Sequence, residues 1–227
     1  MRYWLLKLKR AWYAHLLRDH SVQPFYTAEL PSLNDFSRDV EFLAVDIETT
    51  SLSADEGEIV SIGWVPMING SIALSHARHI VVGIRREVGQ SAVFHHIGDE
   101  QLMDGMTATE MFEQFILAAN KRVLVFHNAQ IDMAFLNKLA RRLYGAPIAA
   151  PIVDTMQWEK TKIIKRYHHI PTDTLRLHAC RRRYNLPDYP LHNALSDALA
   201  TLELLQAQIA HHGNESKLRE IMSKGSL

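Results

Sequence analysis

Asp46 and Glu48 stand one residue apart in the run Phe42-Leu43-Ala44-Val45-Asp46-Ile47-Glu48-Thr49-Thr50. The run begins with apolar, strand-forming residues, and the two-residue period of a strand puts both carboxylates on one face. Two acids side by side at the end of a buried strand repel each other. A hard divalent cation such as magnesium or manganese, which takes carboxylate oxygens, relieves that repulsion. An isolated Asp-x-Glu is as readily a pair of solvated end-of-strand charges, so its meaning depends on whether the chain supplies further ligands. Two other places offer them: Asp132, shortly after Asn128, and His192 with Asp197, five residues apart.

The elements that must position these groups follow from hydrophobic periodicity. After the first strand, Ile59–Val65 and Ile72–Val82 predict two more, joined through Asn69-Gly70, a dipeptide that favours a tight hairpin turn. The domain therefore opens with an antiparallel three-strand meander. A helix is expected from about Thr109 to Ala119, then a short apolar strand, Val123–Phe126, which ends at His127-Asn128. Asn128 is expected to cap a helix running to Tyr144, with Gly145 and Pro147 closing it. That places Asp132 in the helix's first turn. Ile152-Val153 forms a further strand, and Asp154 is assigned to capping the helix that follows, which needs no metal to justify it. The last helix, from Asn193 to Ile209, carries Leu195, Leu199, Leu202, Leu205 and Ile209 as its apolar stripe, with Asp197 in its first turn.

Residues 1–40 form a basic amphipathic helix and a linker. Trp4, Leu5, Leu8, Trp12 and Leu16 recur at helical spacing against Arg2, Lys7, Lys9, Arg10 and Arg18, and the aromatic stripe is expected to pack on the domain. Residues 41–209 form the catalytic domain and 210–227 a short polar tail. The 227 residues, 47% of them hydrophobic, suffice for one sizeable core. Lysine plus arginine and aspartate plus glutamate balance at 25 each, so net charge does not single out a nucleic-acid partner. Locally, however, residues 160–183 hold Lys160, Lys162, Lys165, Arg166, Arg176, Arg181, Arg182 and Arg183 against Asp173 alone. This is either a solvated face or a phosphate-binding surface. The single cysteine, Cys180, excludes an internal disulfide, and a reducing, cytoplasmic setting is the simplest reading. No apolar run is long enough to span a membrane.

Asp-Ile-Glu-Thr at 46–49, His-Asn-Ala-Gln-Ile-Asp-Met-Ala-Phe-Leu at 127–136 and His-Asn-Ala-Leu-Ser-Asp-Ala-Leu-Ala-Thr at 192–201 resemble, in order and spacing, the three exonuclease motifs of the DEDDh family. The likeness is nearest to the branch that proofreads for the bacterial replicative polymerase. One departure is Ile131, where the family commonly has an aromatic before the aspartate.

The resemblance implies an α/β, ribonuclease H-like fold with a mixed central sheet flanked by helices. It implies a 3′–5′ exonuclease that acts on single-stranded ends, DNA favoured, and releases nucleoside 5′-monophosphates. Asp46, Glu48, Asp132 and Asp197 are the implied ligands of two divalent cations, Mg²⁺ or Mn²⁺, about 3.5–4 Å apart, which would stabilise the attacking and leaving oxygens. His192 is the implied general base. Thr49 and Asn128 are implied contacts of the terminal nucleotide. Proofreading subunits carry a polymerase-docking segment after the exonuclease domain. Only the short segment 210–227 follows here, so that segment is expected to be absent and any protein partner to map to residues 1–20. The competing readings are a catalytically weak nucleic-acid or protein-binding module of the same fold, and a hydrolase of small nucleotide phosphoesters.

Overall fold

The computed structural model describes residues 3–83, 105–167, 170, 173–189, 193–213 and 215–225. Its sheet is ordered around β1 (Phe42–Thr49), whose residues are buried on both faces. On one side β1 pairs antiparallel with β2 (Ile59–Ile68). Asn69 and Gly70 then turn the chain back with φ of 51° and 72°, the paired positive values of a tight hairpin whose twist matches the strands. The third strand, expected over Ile72–Val82, is broken by a 3₁₀ turn at Leu74–His76. Consequently β3 (Ser71–Ile72) pairs with the far end of β2 and β4 (Arg78–Val81) with its near end. On the other side β1 runs parallel to β5 (Val123–Phe126), and β5 parallel to β6 (Ile152–Asp154).

Apolar clusters cover both faces of the sheet, as a strand buried on two sides requires. Leu43, Val45 and Ile47 of β1 face a cluster shared with α1 (Tyr3–Leu16), α2 (Gln23–Thr27), α3 (Ala108–Ala119) and α4 (Ala129–Tyr144). Phe42 and Ala44 face the other, with α5 (Thr155–Tyr167) and a long helix over Ala194–His212. Between those two helices in sequence lies α6 (Leu177–Arg182), so the long helix is α7, and α8 (Leu218–Lys224) ends the described chain. By the period of the strand, Asp46 and Glu48 continue the face of Phe42 and Ala44, under α7.

Two terminal segments differ from expectation. The stripe Trp4, Leu5, Leu8, Trp12, Leu16 faces outward, and α1 packs instead through Leu6, Arg10 and Tyr13, followed by Leu17. Arg10 decides this. Its guanidinium is buried, donates to the carbonyls of Phe25, Ala28 (2.9 Å) and Ala149 (2.6 Å), and lies over the Phe25 ring. Rotating the helix to bury the tryptophans would expel Arg10 and strand those carbonyls, a cost that repeats for each lost charged hydrogen bond. At the other end, the segment expected to be a polar tail carries α8, which buries Leu218 and Ile221 in the cluster that holds Val153 and Trp158. The Leu218 and Arg219 amides donate to the carbonyls of Asp35 and Leu33, tying this segment to the linker that precedes β1.

Candidate active site

The site forms where β1 and β5 end, at the carboxyl edge of the parallel strands, where open α/β sheets bind their ligands. The β1–β2 register shifts between Glu48 and Thr49, so regular pairing stops just past the two acids. Asp197 reaches them from the first turn of α7. That helix is capped by Asn193, whose side-chain oxygen accepts from the amides of Leu195 (3.1 Å) and Ser196 (3.2 Å).

Gly63 lets α7 come so close. It sits opposite Asp46 in the β1–β2 register, and a Cβ there would lie 2.3 Å from the Ala194 carbonyl carbon and the Leu195 nitrogen. Only a residue without a side chain allows the start of α7 to rest on the β2 backbone, and this contact brings Asp197 over β1.

Asp132 arrives from the opposite layer, in the first turn of α4, and its carboxylate accepts from the Ile47 amide (3.2 Å), between Asp46 and Glu48 in sequence. The start of α4 is held by an unexpected residue. Asn128 adopts a left-handed conformation (φ 79°) and its side chain makes no capping hydrogen bond. The cap comes from Asp154, fully buried at the end of β6, which accepts from the Asn128 (3.1 Å) and Ala129 (3.0 Å) amides. The same carboxylate accepts from the Met156 and Gln157 amides of α5, so one acid caps two helices. Its role at its own helix was legible from sequence. Its reach to α4 depends on β5 and β6 being neighbours, which one sequence does not announce. Lys138 of α4 also went unnoticed: it donates to the carbonyls of Ala54 and Gly57 and pins the loop that follows β1.

Asp46, Glu48 and Asp197 each place a carboxylate oxygen within 4.8 Å of the others. Burial, followed by the repulsion of Asp132, Asp197 and Glu48, raises Asp46 well above the usual carboxylate range. Glu48 is raised to about 7 by burial and by Asp197. Asp132 is raised to about 8, chiefly by burial and against the lowering effect of the Ile47 amide. Three acids that resist ionisation, with the Asp197 carboxylate against them, are chemically suited to a cation, which removes the repulsion and supplies the charge that burial denies them. Thr49 donates its hydroxyl to the Ser51 carbonyl (2.7 Å) beside this cluster. His192 lies outside the described residues.

Part of the basic segment is internal structure. Buried Arg181 donates to the Ala200 and Pro187 carbonyls and to Glu203, and Arg183 pairs with buried Glu159. Arg182 pairs with Asp188, Arg176 with Asp173, and Lys162 donates to the Tyr184 hydroxyl. The Arg183–Glu159, Lys162–Tyr184 and Arg181–Glu203 contacts tie α5, the α6 segment and α7 together, whereas the Arg176–Asp173 and Arg182–Asp188 pairs lie at the surface. Cys180 is buried, its thiol pushed up to about 12 by burial.

A mixed sheet opening with an antiparallel meander, flanked by helices and gathering acids at the carboxyl ends of its parallel strands, defines the ribonuclease H-like fold of the DEDD-type 3′–5′ exonucleases. The chain belongs to the exonuclease family represented by RNase T, whose model matches residues 43–205. It is 28% identical over 177 residues to the DNA polymerase III subunit epsilon of Treponema pallidum, covering 78% of this chain and 80% of that protein. It is 26% identical over 167 residues to the PolC-type DNA polymerase III of Thermotoga maritima; the match covers 73% of this chain and only 12% of that much longer protein. The fold is shared with the zinc-bound complex of E. coli exonuclease I with single-stranded DNA, at a TM-score of 0.68 and 12% identity, over 81% of this chain and 43% of that one.

Proposed function

We propose that this exonuclease removes nucleoside 5′-monophosphates from single-stranded 3′ ends, DNA favoured, using Asp46, Glu48, Asp132 and Asp197 to hold two divalent cations, magnesium or manganese. The observation that carries the proposal is the convergence of Asp46, Glu48 and Asp197 within 4.8 Å, with Asp132 beside them. Bound there, the cations would supply charge stabilisation to the phosphate and to the attacking and leaving oxygens. The chain's own groups do the rest. Asp46 and Glu48 are fixed by the strand, Asp197 by the Gly63 contact and Asp132 by the Asp154 cap, so the ligand set is organised before substrate arrives. His192, one residue before the cap of α7, takes the proton from the attacking water. Thr49 and Asn128 contact the terminal nucleotide. Residues 41–209 are the exonuclease unit, with 1–40 and 210–227 added to it, and a cytoplasmic setting fits the free Cys180. The relatives named as a DNA polymerase III subunit and as a PolC-type DNA polymerase III support DNA over RNA.

One observation favours a second reading. Buried Arg181 is held by Glu203 and Arg183 by buried Glu159, so neither is offered to a polymer, which gives weight to a hydrolase of small nucleotide phosphoesters. Incubation of a 5′-labelled oligonucleotide and of a mononucleotide aryl ester with manganese, with and without chelator, separates the two. A ladder shortening from the 3′ end, abolished by chelator and faster than ester hydrolysis, supports the exonuclease. Ester cleavage with an intact oligonucleotide supports the alternative.

A further inference from the structure

Successive residues of an α-helix are about 100° apart, so Trp4, Leu5, Leu8, Trp12 and Leu16 fall within an arc of about 120° on α1. Trp4, Leu8 and Trp12 are 55%, 59% and 67% exposed, so the arc is open along the whole helix. The one polar side chain that the same arithmetic places inside this arc is His15, near the end of the helix; an exposed, mostly apolar ridge of this kind marks an interaction surface. The opposite side of α1 is committed to the domain through Leu6 and Arg10, so the ridge is not the by-product of a loosely attached helix.

Charge and side-chain type identify the occupant. Lys7 borders the arc on one side and Lys9 on the other, both exposed, and no acid occurs between Tyr3 and Leu16. Arg18, just beyond the helix, pairs with Asp19 and adds little. Two tryptophans about 12 Å apart along the axis, leucines between them and lysines at the lateral boundary match a helix lying in the plane of an anionic membrane surface. There the indole rings sit at headgroup depth and the lysine stems extend sideways to lipid phosphates. At 14 residues α1 is too short to span a bilayer, so the arrangement fits attachment at the surface. We propose that α1 docks the enzyme on anionic bilayers, with Trp4, Leu5, Leu8, Trp12 and Leu16 inserted and Lys7 and Lys9 on the lipid phosphates.

The protein carries its own probe. Of its four tryptophans, Trp64 and Trp158 are buried, so a change in tryptophan emission on binding reports on Trp4 and Trp12. The full chain is mixed with vesicles of phosphatidylcholine alone or with one-third phosphatidylglycerol, and followed by co-sedimentation, emission maximum and acrylamide quenching. The expected result is sedimentation with the anionic vesicles, a blue shift and protection from quencher, all weakened by salt. Lys7→Ala and Lys9→Ala should each lower partitioning about fivefold, the value of one basic residue near an anionic surface. Leu8→Glu and, as an independent variant, Leu16→Glu should lower it at least about tenfold, with oligonucleotide cleavage unchanged. Failure to sediment with the anionic vesicles overturns the proposal. So does quencher protection without vesicles together with a dimer by light scattering, which would assign the ridge to a second copy of the chain. Preferential capture of the ridge by a purified polymerase subunit, with no vesicle binding, would assign it to a protein partner and likewise overturn the proposal.

Discussion

Replacing Gly63 by alanine tests whether the α7–β2 contact sets the geometry of the acids. The new methyl carbon would lie 2.3 Å from the Ala194 carbonyl carbon and the Leu195 nitrogen and 2.4 Å from the Ala194 oxygen, whereas ordinary contact begins near 3.4 Å. The start of α7 must therefore retreat by about 1 Å, since the obstructing atoms are backbone and cannot rotate away. Asp197 lies in that first turn and moves with it. A misplacement of about 1 Å in a catalytic constellation costs on the order of a hundredfold in rate. Overpacking costs about 1–3 kcal/mol in stability, and in a domain of this size each kcal/mol lowers the melting temperature by about 2–4 °C. The assay pairs kcat/KM for oligonucleotide cleavage in saturating manganese with calorimetric melting. A folded Gly63→Ala protein with wild-type kcat/KM and unchanged melting would refute the reasoning.

Four further outcomes are expected. Asp46→Asn should abolish cleavage yet raise the melting temperature of the metal-free protein at pH 8, because it removes a carboxylate that burial and neighbouring acids oppose; a fall in melting temperature there would contradict that electrostatic account. In the metal-free wild type, Glu48 and Asp132 are raised to about 7 and about 8 from unfolded values near 4, so the folded state binds the extra protons in between. Its stability should be greatest at the acid end of that window and fall as pH rises through 7 and 8, which chemical denaturation in chelator at pH 5.5 and 8.5 will check. Asp154→Ala strips the cap from two helix starts and should destabilise by about 2–5 kcal/mol and weaken cleavage, because Asp132 loses its anchor; denaturation and initial rates measure both. His192→Ala should lower turnover about a hundredfold to ten-thousandfold and remove the acidic limb of the pH–rate profile, since only a neutral imidazole accepts a proton.

Order and spacing made the family and most of the fold legible. An acid pair on an apolar strand, an acid one turn after a strand end and an acid in a capped helix's first turn left little freedom in how β1, α4 and α7 meet. The missed features depend on contacts between segments far apart in sequence. Nothing around Gly63 signals that it faces Ala194, because that contact exists only once α7 lies across β2. Asn128 carries the right residue type for a cap, but Asp154 already satisfies the first amides of α4 from β6, leaving Asn128 to the left-handed turn. Helix α1 has two apolar faces. Periodicity selected the more hydrophobic one, while the inward side was fixed by Arg10 finding three carbonyls, one of them 139 residues away. The run 160–183 shows the same limit: charge density counts residues, and only the fold reveals that Glu159, Asp188 and Glu203 meet its arginines.

The central claim is that the four acids form a divalent-cation site. The most direct measurement is calorimetric titration of manganese into metal-stripped wild type and Asp46→Asn at pH 7.5, in two buffers of different ionisation enthalpy. The account predicts saturable uptake by the wild type with net proton release, because Glu48 and Asp132, held partly protonated by burial, must ionise to bind. Uptake by Asp46→Asn should be much weaker. Saturable binding that Asp46→Asn leaves unchanged, or no saturable binding by the wild type, would contradict it.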